Sequence, residues 1–210
     1  MGRCFVFAAG ELSLPRLYPR EPGDLVIAAD AGWRRCIEAG VTPDLLLGDF
    51  DSMPPPENFP HMERFPVEKD DTDTMLALKV GLSRGFREFH LYGGTGGDRL
   101  DHTFANLQSL LYLRRRGAKG FLYGRDFVWT VMENETLTLP REVENGLLSV
   151  FSLTEQSRGV TLTGVQYPLD GAVLTAEFPL GVSNHITGEQ AEIQVEAGAL
   201  LVGWQLPAAP

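Results

Sequence analysis

The feature that most limits how this chain can fold is a series of short, continuously apolar runs, each ending where glycine and aspartate take over. Residues 3–8 end near Gly10 and residues 25–29 end at Asp30-Ala31-Gly32. Residues 45–47 run into Gly48-Asp49-Phe50-Asp51-Ser52, residues 88–92 run into Gly93, and residues 120–123 close the series. The runs at 3–8, 25–29 and 45–47, with almost no polar residue, read as strands buried on both faces, and 88–92 and 120–123 read as the later strands of the series. Helical spacings lie between them. A short helix spans 32–39 and is closed by Gly40, a stripe of Met75, Leu78 and Leu82 is widened by Leu76 and Val80, and Phe104, Leu107 and Leu111 precede Arg114-Arg115-Arg116. Strands alternating with helices predict an α/β fold, an open and mostly parallel sheet flanked by helices. A further short strand is expected over 64–67.

The texture changes near Arg125-Asp126. Beyond it stand only short runs, at 127–132, 136–139, 147–153, 172–174, 191–195 and 199–204, separated by turn residues with no convincing helix. That pattern predicts a small all-β sandwich. The expected division is therefore an α/β nucleotide-binding domain over 1–125 and a β-sandwich domain over 126–210 that contributes to substrate binding and dimerisation.

Charge follows the same division. Residues 1–125 carry 16 Lys and Arg against 17 Asp and Glu, whereas residues 126–210 carry 2 against 11. So few cations in an acidic chain argue against nucleic acid as a partner, because that affinity comes mostly from neutralising backbone phosphates. No apolar run approaches the ~20 residues that span a bilayer. The first residues enter a strand-like run with no signal-peptide pattern, so the expectation is a cytoplasmic protein. Cys4 and Cys36, each in apolar surroundings, read as buried reduced thiols.

Asp49 and Asp51 leave one strand end together, with Phe50 between them turned toward the core. A carboxylate pair of this kind suits Mg²⁺, which is usually held by one or two carboxylates plus substrate phosphates. An isolated pair is more often a solvated turn. Asp70-Asp71-Thr72-Asp73 opens a helix, where Asp71 or Thr72 can cap it and the macrodipole favours acids. Capping accounts for one of these aspartates and leaves the others unexplained. Gly93-Gly94-Thr95-Gly96-Gly97 frees the backbone to wrap a phosphate or the edge of a base. It fits neither the Walker A pattern nor G-x-G-x-x-G.

Taken in order, Ala29-Asp30-Ala31-Gly32, Gly48-Asp49-Phe50-Asp51-Ser52, Asp70-Asp71-Thr72-Asp73 and Gly96-Gly97-Asp98-Arg99-Leu100-Asp101-His102 resemble the motifs of the thiamine pyrophosphokinase family. Ser183-Asn184 followed by Gly188 resembles its substrate-side segment. The resemblance implies a homodimer that transfers pyrophosphate from ATP to the hydroxyl of thiamine and releases AMP, with the acceptor site between subunits. It implies Asp30, Asp49, Asp51 and Asp73 as the Mg²⁺ shell. Gly94, Thr95, Gly96, Gly97, Arg99, Asp101, Asp70 and Thr72 are implied to hold ATP, and Ser183 and Asn184 to hold thiamine from the partner chain. Asp73, Asp49 and Arg99 are implied as catalytic, with Asp73 preferred to Asp49 as proton acceptor. His102 follows the motif, although a histidine at a helix start is more often structural. Two departures from the family pattern stand out. Ala31-Gly32-Trp33 replaces two glycines and a small residue, and Asp98 lengthens the glycine-rich motif.

Thiamine carries a fixed positive charge, with which an acidic second half is compatible, and Trp204 or Tyr167 can stack on a cation. Two rival readings share the same residues. Pyrophosphoryl transfer to another hydroxymethyl heterocycle, such as a pterin, would leave the ATP half unchanged. A catalytically inactive nucleotide-binding sensor would not require all four aspartates.

Overall fold

The structure is a computed structural model and describes residues 2–12, 17–50, 54, 56, 59–65, 70–139, 146–187 and 190–206. Two compact units divide the chain, Met1–Arg125 and Asp126–Pro210.

Unit 1 is built on six strands: β1 (Cys4–Phe7), β2 (Leu25–Ala29), β3 (Leu45–Gly48), β4 (Met62–Arg64), β5 (Glu88–Tyr92) and β6 (Lys119–Tyr123). Their order is β6-β5-β1-β2-β3-β4, and each neighbouring pair is parallel. The chain thus leaves β1 outward through β2, β3 and β4, then returns to the other side of β1 for β5 and β6. The strand order reverses between β1 and β5, and crevices at the carboxyl ends of such a switch are where open α/β sheets bind ligands. β1, β2 and β3 are buried along their whole length, as continuous apolar runs require.

Helices α1 (Gly32–Glu38), α2 (Asp73–Ser83) and α3 (Leu100–Arg114) complete the unit. α1 packs on β1 and β2, α2 on β1 to β3, and α3 on β6 and α2. Their buried faces differ from the expected stripes. On α2 the buried residues are Thr74, Ala77, Leu78 and Gly81, so only Leu78 of the predicted set is fully inside. Small residues face inward because the helix lies close to the sheet: a Cβ on Gly81 would fall 2.5 Å from the Phe89 ring and 2.9 Å from Cys4 Sγ. On α3 the buried residues are Asn106, Ser109, Leu110 and Leu113, while Phe104 is 61% exposed. A polar Asn and Ser on the inward face hid that face from an apolar count. The strand expected over 64–67 instead covers Met62–Arg64, and residues 66–69 lie outside the described residues.

Unit 2 holds β7 (Phe127–Glu133), β8 (Thr136–Thr138), β9 (Leu147–Ser152), β10 (Gln156–Thr163), β11 (Leu169–Thr175), β12 (Gly181–His185), β13 (Glu192–Gln194) and β14 (Ala199–Gln205). They form two antiparallel groups, β12-β9-β14-β7 and β11-β10-β13-β8. β10 and β12 have no counterpart in the predicted runs. β10 buries Ser157 with only Val160 and Leu162 as apolar residues, too short a run to stand out, and β12 buries only Gly181 and Asn184 and carries no apolar signal. Parallel pairing is confined to unit 1, so the chain is mixed α/β rather than mostly parallel.

Cys4 and Cys36 are free and buried, and burial pushes the Cys36 thiol up to about 12. No helix among the described residues is long and apolar enough to cross a membrane.

Candidate active site

A cavity of about 460 Å³ opens in unit 1 at the carboxyl ends of β1, β2 and β5, a size ordinary for small-molecule sites. Its walls come from five places: Ala8, Ala9 and Gly10 after β1, Asp30 after β2, residues 71–74 at the start of α2, glycines of the loop after β5, and Asp98 to Asn106 around the start of α3. The sheet reversal brings these segments together from across 99 residues of sequence.

Asp30 ends β2 in the left-handed region, at φ +47, with its N–H bonded to Leu47 O at 2.7 Å. Gly48 makes room for it: a Cβ at Gly48 would lie 3.0 Å from Asp30 Cα. Among the described residues only Asp30, Phe50, Asn134 and Ser183 are non-glycine residues with positive φ. Asparagine and aspartate tolerate that region, but Phe50 and Ser183 are costly there and persist only where the surroundings enforce them. Asp30 is a predicted ligand, Phe50 separates Asp49 from Asp51, and Ser183 is a predicted substrate contact.

Thr72 caps α2, its Oγ1 accepting from Met75 N at 3.1 Å, which settles the capping choice and leaves Asp73 in the first turn. Asp71 and Asp73 both line the cavity, and Asp70 does not. Lys79 holds Asp71 from the second turn, Nζ to Oδ2 at 2.6 Å, and the Lys79 pKa is raised by that bond. Arg99, immediately before α3, lines the cavity and is paired with Asp101, which does not line it. Arg99 lowers the Asp101 carboxyl to about 2. His102 is on the cavity wall.

Gly94, Gly96 and Gly97 line the cavity, whereas Thr95 does not and gives its carbonyl to Glu11 N at 3.1 Å. Positive φ at Gly93, Gly96 and Gly97 explains the glycines of this loop. Asp49 follows β3 and is not among the lining residues, and Asp51 lies outside the described residues. Asp71, Asp98, Thr103 and Asn106 are cavity residues that the predicted site did not include. Asn106 was concealed inside an apparently structural helix.

Among the described residues no group of three or more metal-binding side chains is gathered. Asp30 and Asp73 nevertheless both line the cavity. Four carboxylates, Asp30, Asp71, Asp73 and Asp98, face a cavity with a single arginine. A polyphosphate entering such a field needs a divalent cation to offset the repulsion, and Mg²⁺ takes one or two carboxylates together with phosphate oxygens.

In unit 2, Ser183 is exposed and Asn184 is buried. The Asn184 amide is occupied within the unit: Oδ1 accepts from Tyr167 N and His185 N, both at 3.0 Å, and Nδ2 donates to Tyr167 O at 2.8 Å. It thereby braces the backbone of Tyr167, whose ring is exposed. Trp204 is a core residue. Gly188 lies outside the described residues.

Residues 21–122 match the family model described as thiamin pyrophosphokinase, catalytic domain, and residues 134–200 match that described as thiamin pyrophosphokinase, vitamin B1 binding domain. The chain belongs to the thiamin pyrophosphokinase family. Among curated proteins, it is 27% identical over 184 residues to a thiamine pyrophosphokinase of Bacillus subtilis, covering 85% of this chain and 86% of that one. Family members of known structure share its fold. The crystal structure of the Bacillus subtilis thiamine pyrophosphokinase superposes with a TM-score of 0.87 at 24% identity, covering 98% of this chain and all of that chain. That of Geobacillus thermodenitrificans gives 0.84 at 28% identity, covering 99% of each. Yeast thiamin pyrophosphokinase gives 0.79 at 12% identity, covering 98% of this chain and 86% of that chain.

Proposed function

We propose that this chain transfers pyrophosphate from ATP to the hydroxyl of thiamine, yielding thiamine diphosphate and AMP. The observation that carries the reading is the cavity at the β1/β5 reversal, where Asp30, Asp73, the glycine loop and Arg99 meet inside the segment matched to the family's catalytic domain. The match of residues 134–200 to a vitamin B1 binding domain favours thiamine over a pterin as acceptor.

ATP lies with its phosphates along the loop of Gly94, Thr95, Gly96 and Gly97 and against Arg99. Asp30 and Asp73 would hold Mg²⁺, with Asp49 and Asp51 as the further ligands that the family motif implies, and the cation would neutralise charge on the phosphates. The thiamine oxygen forms a bond to the β-phosphorus while the bond from that phosphorus to the α-phosphate oxygen breaks and AMP leaves. Asp73 takes the hydroxyl proton, and Arg99 meets charge developing on the phosphate oxygens. Asp70 and Thr72 serve the nucleotide indirectly, by shaping the start of α2.

The acceptor side is supplied by unit 2 of a second copy, through the strained Ser183 and through Asn184 acting on Tyr167. An exposed tyrosine suits a cationic ring. Exposed apolar residues in the same unit, Phe178, Leu180 and Val182, support a homodimer. We place the reaction in the cytoplasm, where the two thiols stay reduced.

Incubation with ATP, Mg²⁺ and thiamine should produce thiamine diphosphate and AMP in equal amounts. Thiamine monophosphate with ADP would overturn the pyrophosphoryl step.

A further inference from the structure

In the glycine-rich loop, three successive carbonyl groups are held by donors from elsewhere in unit 1. Gly93 O accepts from Gly10 N at 2.7 Å, Gly94 O from Asn106 Nδ2 at 2.8 Å, and Thr95 O from Glu11 N at 3.1 Å. Among the described residues, the N–H groups of Gly94, Thr95 and Gly96 donate to no protein acceptor. Over this stretch, then, each carbonyl is already turned to a donor of the protein, and the groups wholly free for a ligand are N–H donors. Successive free N–H groups of this kind form concavities that bind anions.

Two of the three carbonyls are held by backbone and owe nothing to side-chain identity. The third depends on Asn106 alone. Asn106 is 6% exposed, sits on α3 and lines the cavity itself. The contact is close on both sides of Gly94, where a Cβ would fall 2.6 Å from Leu122 Cδ1 and 3.2 Å from Asn106 Nδ2. A Gly94 carbonyl released from Asn106 would be left as an unpaired acceptor at the wall of the cavity that both residues line.

We propose that Asn106 is a positioning residue for the nucleotide: by holding the Gly94 carbonyl, it keeps the loop a donor-only surface for the polyphosphate. This rests on the nucleotide reading of the cavity given above. A merely structural asparagine would support every part of the nucleotide equally, whereas a positioning role is felt by the phosphates and not by the nucleoside.

The test is calorimetric binding of ATP and of adenosine, each with Mg²⁺, to wild type, Asn106→Leu and Asn106→Ser. Leu removes the donor at similar volume, and Ser retains one. Asn106→Leu should weaken ATP by about tenfold or more and adenosine by less than about twofold, with Ser recovering part of the ATP affinity. Equal losses for the two ligands, or unchanged ATP affinity in folded Asn106→Leu, would overturn the proposal. If the Leu variant does not fold, the same ratio in Asn106→Ala, which also removes the donor, decides it. A wild-type protein that binds no ATP would overturn the nucleotide reading itself, a result distinguishable from either.

Discussion

Arg99 is clasped by Asp101, with Nη2 2.7 Å from Oδ2 and Nε 2.9 Å from Oδ1. The two groups are exposed, yet only the arginine lines the cavity. Asp101 stands in the first turn of α3, where a carboxylate also complements the helix dipole. We propose that Asp101 serves the nucleotide by aiming the Arg99 cation.

Asp101→Asn should lower kcat/KM for ATP by about tenfold while leaving the melting temperature nearly unchanged, since exposed ion pairs add little stability. Arg99 holds the Asp101 carboxyl at about 2, so it stays ionised at every working pH. A pH profile of wild-type activity should show no inflection from this group. Unaltered steady-state kinetics in the variant would count against the aiming role.

Asp73→Ala should abolish turnover in a protein that remains folded, because Thr72 still caps α2. ATP with Mg²⁺ should raise the melting temperature of wild type and do so far less for the variant. Wild-type-like activity in Asp73→Ala would remove this residue from the metal and proton-accepting roles.

Ser183 has φ +58 and donates its N–H to Ser149 Oγ at 3.1 Å. Glycine adopts that backbone without penalty, so Ser183→Gly should leave stability unchanged or raise it by about 1 kcal/mol. Thiamine KM should rise several-fold and ATP KM should not. A less stable protein with an unchanged thiamine KM would make the strain structural instead of functional.

His90 is buried between Tyr123 Oη, 3.0 Å from Nδ1, and Glu88 Oε1, 2.9 Å from Nε2. Burial lowers its pKa, Glu88 pulls the other way, and Arg3 and Asp24 act more weakly with opposite signs. The net shift is downward, so the unfolded chain binds the proton more readily than the folded one. The contribution of neutral His90 to stability is complete above about 6.5, the ordinary histidine value, and is lost as pH falls through the folded value. Melting temperatures should therefore drop on acidification below that point, and His90→Gln should flatten the dependence. An identical acid dependence in the variant would place the sensitivity elsewhere.

β1, β2 and β3 were legible because residues buried on both faces leave no polar alternation to confuse, as at Leu45, Leu46 and Leu47, whereas the exposed β4 carries no such signal. Asp30 was legible as a cavity residue because it stands where an apolar run stops, whereas Asp71 and Asp98, which line the same cavity, follow no such run. Side-chain faces of the helices were not, since Gly81 and Ala77 earn their inward place by closeness to the sheet and Asn106 by a hydrogen bond, and neither cause appears in an apolar periodicity. β12 was hidden for a related reason: Asn184 is buried by bracing Tyr167, a partner 17 residues away. The division of labour between Arg99 and Asp101 needed coordinates too, because adjacent motif residues look alike in a sequence while only one of them faces the cavity.

AMP formation by the purified protein from ATP and Mg²⁺, measured with thiamine, with a pterin alcohol and with no acceptor, tests the proposed reaction most directly. AMP that depends on thiamine, with neither the pterin nor the blank supporting it, is the predicted result. AMP with the pterin alone would contradict the acceptor assignment, and ATP binding without AMP from any mixture would contradict the enzyme.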